Sequence, residues 1–250
     1  MRRKPRSAIS LLNAGRRLLK VGRSEEEFDR ARELILAAAE KALSENDDLT
    51  EARCSLELGF HHMGHAEYAL ALTQLETALP AIRESGDLDE LGWCLYDLST
   101  CLGIVDGGDE DESFRVFAEA YNASRNADDL RLKVKCSTGM ACWYSNLEDY
   151  EAAAPFWREA IESARATDGP LAVPEIQHVM AGFEVKRGRA PSALEMLNDA
   201  REGVVDLPGR WAINFRSRIE ATAADAYRLL GEIETATKHE ELAAELNIGM

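Results

Sequence analysis

Three histidines in the string His61-His62-Met63-Gly64-His65 are the first residues whose types and spacing suggest chemistry. His61 and His65 stand four apart, so an unbroken helix would bring both rings to one face. Glu57 and Cys54 lie one and two turns earlier, and the set could be drawn as a transition-metal site. Against it, Gly64 falls where a turn is expected, and no residue can be named to orient the histidines from behind. The expectation is no metal and no cofactor. A second acid-rich string, Asp106-Gly-Gly-Asp-Glu-Asp-Glu, resembles a cation loop in composition only. A calcium loop begun at Asp106 would need an acid at its third position and a glutamate at its twelfth, where Gly108 and Phe117 stand. Glu175 with His178 is an acid and a base at helical spacing, too generic a pair to define a reaction. The sequence holds no GxSxG, phosphate-binding loop, GxGxxG or HExxH. The chemistry-bearing residues therefore point away from an enzyme.

Charge is distributed unevenly along the 250 residues. Residues 1–44 carry 11 Lys/Arg against 6 Asp/Glu, a net of +5, and residues 45–112 carry 2 against 17, a net of −15. Residues 113–250 carry 16 against 22, a net of −6, which completes the total of −16. An acidic centre repels nucleic-acid phosphates and favours a protein or peptide partner that is basic or of mixed charge. The five cysteines are odd in number, form no CxxC and sit mostly inside helical apolar patterns, which fits a reducing compartment and a cytoplasmic protein. No apolar run approaches the roughly 20 residues that cross a bilayer.

These residues must be positioned by helices. Apolar side chains recur at three- and four-residue spacing throughout, and no stretch alternates with period two over a strand's length. The first 24 residues hold eight basic and no acidic side chains. Residues 7–21 are expected to form the first helix of the fold behind a basic arm at 1–6. A targeting or membrane-surface segment and a nucleic-acid arm are the competing readings. Docking of the basic segment on the acidic centre of a second copy would give a homodimer.

The stretch Met140–Ala160 carries Ala141, Tyr144, Leu147, Tyr150, Ala153, Trp157 and Ala160 in an ordered series of sizes. This series resembles the tetratricopeptide repeat, in which small residues let two helices touch and aromatics fill the gap to the next pair. Similar series recur along the chain. Their matching second-helix positions read as Ala31, Ala71, Phe117, Ala153, Ala193 and Ala236, with steps of 40, 46, 36, 40 and 43. The resemblance implies an all-α fold, a right-handed α-solenoid of about six helix-turn-helix units. These would occupy about 7–44, 48–85, 88–126, 130–167, 174–205 and 211–247, in one repeat domain spanning 7–247. Pro80 and Pro155 fall inside second helices, where bends are expected.

The resemblance also implies a concave surface lined by the first helix of each unit, and a non-catalytic role as a peptide- or protein-binding adaptor. Registering the units on it predicts Arg53, Glu57 and Phe60 facing inward from the second unit, and Trp93, Tyr96, Asp97 and Thr100 from the third. Lys135, Thr138 and Cys142 follow from the fourth, Glu175 and His178 from the fifth, and Arg218, Asp225 and Arg228 from the sixth. Trp93, Tyr96 and Phe60 would be flat anchors, and the acids would read basic residues. A clamp of Lys and Asn for a peptide's terminal carboxylate is disfavoured, because Arg53 and Lys135 are the only cations at the matching positions of units two to four. The alternative is a regulatory sensor whose repeats change curvature when a ligand enters.

Overall fold

The computed structural model describes residues 7–21, 25–105 and 109–248. The basic arm at 1–6 and the Asp106-Gly107-Gly108 string lie outside them. Among the described residues there are twelve helices and no strand. They are α1 Ala8–Val21, α2 Glu25–Glu45, α3 Asp48–Gly64, α4 Tyr68–Ser85, α5 Leu88–Ile104 and α6 Glu110–Asn126. There follow α7 Leu130–Asn146, α8 Tyr150–Arg165, α9 Ala172–Lys186, α10 Ala190–Glu202, α11 Arg210–Leu229 and α12 Ile233–Ile248. Residues 7–21 thus supply the first helix of the first pair: α1 packs on α2, and Leu12 lies fully buried with Ile35, Ala38 and Cys54.

One kind of turn is used repeatedly. A residue in the left-handed region is followed by the residue that opens the next helix: Asn46, Ala66, Gly86, Glu148, Gly188 and Gly231 have φ between 54° and 77°. Where an aspartate comes next it caps the helix. Asp47 accepts from the Thr50 N–H at 3.1 Å, Asp87 from Glu90 at 3.0 Å and Asp149 from Ala152 at 3.0 Å. Each aspartate satisfies an N–H that the helix itself leaves unpaired.

Second helices bury a strict series at i, i+4, i+7 and i+11. In α2 it is Ala31, Ile35, Ala38 and Ala42; in α4, Ala71, Leu75, Ala78 and Ile82. In α8 it is Ala153, Trp157, Ala160 and Ala164; in α10, with its following turn, Ala193, Leu197, Ala200 and Val204. The first and third positions let the partner helix approach. A Cβ on Gly59 would sit 2.9 Å from Leu75 Cγ, and one on Gly15 would sit 2.7 Å from Ile35 Cγ1. Both α4 and α8 run through their prolines as single helices.

The series corrects the register of the third pair. In α6 the buried small residues are Ala120, Ala123 and Ser124; Ala120 and Ser124 keep the i+7 and i+11 spacing, which places Phe117 at i+4 and Ser113 at the head. Phe117, assigned to the small position by sequence, belongs to the large one. The steps become 40, 42, 40, 40 and 43. Ser113 escapes recognition because it is polar, and it makes the close approach by a hydrogen bond instead of by contact. Its Oγ donates to the Ser99 carbonyl at 2.9 Å, and Ser99 stands 40 residues after Gly59.

Contacts gather in two compact units, Met1–Leu132 and Lys133–Met250, with the boundary inside α7. In the first, each helix packs on its successor from α1 to α6, and the first helices also touch one another, α1 on α3 and α3 on α5. In the second, one core joins α7, α8 and α9 around Trp157, and another joins α9, α10 and α11 around Leu197, Phe215 and Ile219.

Candidate binding face

The face shared by α1, α3 and α5 in the first unit holds a ladder of charges. Arg16 of α1 donates from Nε to Glu57 at 2.6 Å and from Nη2 to Glu90 at 3.1 Å. Arg53 of α3 donates from Nε to the other Glu90 oxygen at 2.7 Å. All four side chains are largely buried, and their two positive and two negative charges balance. The sequence reading placed Arg53 and Glu57 here but found neither Arg16 nor Glu90. Both lie on first helices at the matching heights; the basic composition of residues 1–24 hid Arg16 among seven other cations.

Asp97 lies beside this ladder, 40 residues after Glu57 and at the equivalent place on α5. Only 6% of its surface remains accessible. Among the described residues none donates a hydrogen bond to its carboxylate. Burial, with the Glu57 charge adding to it, pushes its pKa up to about 7. On the same face of α5, Trp93 Nε1 donates to Asp129 at 3.1 Å and Thr100 Oγ1 to the Tyr96 carbonyl at 3.0 Å. The Tyr96 ring lies between Trp93 and Phe117, with centroids at 5.8 and 5.9 Å. Phe60 is 57% exposed near the C-terminal end of α3.

In the second unit the named residues are more dispersed. Lys135 is exposed on α7, and Thr138 buries its Oγ1 without a partner among the described residues. Cys142 is half-buried, and burial raises its thiol to about 11. His178 of α9, three residues after half-buried Glu175, joins α11 through Nε2, 3.1 Å from Thr222 Oγ1 and 3.3 Å from the Arg218 carbonyl. Burial, and then the Arg218 charge, lower its pKa. Arg218 is exposed, and Arg228 pairs with Asp225 at 2.7 Å and with Glu240.

The histidine string does not assemble. His62 Nδ1 lies 2.6 Å from Glu67, while the His61 and His65 rings meet at a tilt of 43° with centroids 4.5 Å apart. Glu57 is engaged by Arg16, and burial raises the Cys54 thiol to about 12, far from the thiolate a metal needs. Among the described residues no three His, Cys, Asp or Glu stand where they could share a metal ion, and no helix is long and apolar enough to cross a membrane.

No protein-family model matches the chain, and no curated protein matches it in sequence. Solved structures do. BtubC from P. vanneervenii is 16% identical and superposes with a TM-score of 0.64 over 97% of this chain and 89% of that one. The apo form of RapI is 12% identical, with a TM-score of 0.67 over 96% and 97%. A Rap protein complexed with competence and sporulation factor is 13% identical, with a TM-score of 0.65 over 97% and 75%. The buried small-residue series, the repeated turn and these superpositions together give the chain the fold of the tetratricopeptide-like helical-repeat proteins.

Proposed function

We propose that the chain is a non-catalytic scaffold that binds a peptide or protein segment on the first-helix face of its first unit. The observation that carries this reading is the α5 surface. Trp93 and Tyr96 stand there as oriented, half-buried rings beside Asp97, a carboxylate that no described side chain satisfies. Rigid aromatics next to unspent polar groups are the usual anchors of a recognition surface. The bound segment is basic or mixed in charge, because the ladder is balanced and Asp97 adds a negative charge once ionised. The test is capture of partners from the native host by immobilised protein, compared with Trp93→Ala and Asp97→Lys. A partner retained by the parent and lost from both variants, with retention falling as salt rises, supports the face. Equal recovery by all three rejects it.

A second reading, a sensor that changes shape on binding, is favoured by similarity over nearly the whole chain to a Rap structure containing a bound signalling factor. It predicts different small-angle scattering with and without the captured partner. Identical profiles would leave the passive scaffold.

A further inference from the structure

Two observations single out Asp97. The charges around it are already matched: Arg16 and Arg53 are both engaged by Glu57 and Glu90, so neither guanidinium is free to neutralise it. Only a narrow part of its surface stays open to solvent, and no described residue donates a hydrogen bond to its carboxylate. A carboxylate left so is costly, since it has given up most of its water and gained no hydrogen bond within the chain in return. The nearest acid, Glu57, makes the position worse instead of better. Folding alone supplies no reason to keep an aspartate there. A cation arriving from outside would supply one, through a charge-assisted bond in a site shielded from water. The rings of Trp93 and Tyr96 share the helix face with it, and aromatic faces attract ammonium and guanidinium groups.

We propose that Asp97 receives one cationic side chain, lysine or arginine, of a peptide segment bound on the α1–α3–α5 face. This rests on the scaffold reading above and adds to it the residue that selects charge. The test uses the full chain and pools of fluorescein-labelled hexapeptides with blocked ends. In each pool one position is fixed as arginine, lysine or citrulline and the others are randomised, and affinity is read by fluorescence polarisation at pH 8. At one position the arginine or lysine pool should bind the parent at least tenfold more tightly than the citrulline pool. Asp97→Asn should reduce that preference below twofold. Thr100→Lys, which places an ammonium one turn away, should abolish the preference as well and guards against a folding defect peculiar to the first variant. A preference that survives in both variants overturns the assignment. So does N-acetylargininamide competing as strongly as the pools, which would make the guest a free small cation. Binding without any charge preference refutes this inference alone; absence of binding by every pool refutes the scaffold reading with it.

Discussion

Replacing Asp97 by asparagine should stabilise the unliganded protein at high pH and not at low pH. The carboxyl's pKa rises from the ordinary 3.8 to about 7 on folding. The native state therefore holds a proton that the unfolded chain has released between those values, and stability falls as pH rises through that window. At 1.36 kcal/mol per unit, the loss accumulated by pH 7 is about 4 kcal/mol, and it stays constant above that. Asparagine carries no charge to bury, but its amide remains unpaired in the same place, at a cost of about 1–3 kcal/mol. The variant should thus be more stable than the parent by about 2 kcal/mol at pH 8, or about 4–8 °C in Tm for a chain of this length. By pH 4 the parent's penalty has gone and only the cost of the unpaired amide remains, so the variant should be less stable than the parent by about 1–3 kcal/mol. The charge bearing on the site is that of Glu57 from α3, and the thiols of Cys94 and Cys101 on α5 feel the Asp97 charge in turn. The Glu57 repulsion is part of the penalty and is relieved with it in the asparagine variant. Calorimetry of the pair from pH 4 to pH 8 reads the crossover directly. A variant less stable than the parent at pH 8 would mean that a cation within the chain already satisfies Asp97, and both the penalty and the vacancy for a guest would be wrong.

Gly59→Val should destabilise by about 1–3 kcal/mol, since even a Cβ there would lie 2.9 Å from Leu75 Cγ; a denaturant midpoint unchanged from the parent would contradict the close α3–α4 contact. Ala66→Gly should stabilise by up to about 1 kcal/mol and so raise the denaturant midpoint, because Ala66 holds φ at 59° where glycine is unstrained. Glu220→Gln should cost about 3 kcal/mol at pH 7, since this buried carboxylate accepts 2.8 and 3.0 Å bonds from Arg201 and stands 2.6 Å from His239 Nδ1. Burial raises the Glu220 pKa, but the Arg201 and His239 hydrogen bonds outweigh it and hold the value below 4.5. The stability it contributes is therefore present above that pH and lost below it, and urea melts of the two proteins should converge in acid.

Why the repeat was legible and the site was not follows from what each is made of. The contact between paired helices needs a small residue at one place, and alanine or glycine announces that place in the sequence: Gly59 against Ala71, Ala141 against Ala153, Ala181 against Ala193. Where serine does the same work, as Ser99 and Ser113 do through one hydrogen bond, the size signal vanishes and the register slips by a turn to Phe117. Trp93, Tyr96 and Asp97 fall on one face of α5 because they keep helical spacing with one another. Their energetics were not legible, since ion pairs join residues 41 and 74 apart in the chain. Arg16 looked like one cation in a basic leader, and Glu57 like one acid in an acidic tract. Only when α1 lies against α3 do the two charges disappear from the count. What distinguishes Asp97 is that its height on α5 matches that of Glu57 on α3 while no arginine reaches it. Within a composition that reads as a broadly acidic centre, two of the acids on this face are matched by arginines, and Asp97 is the one beside them that no described residue pairs.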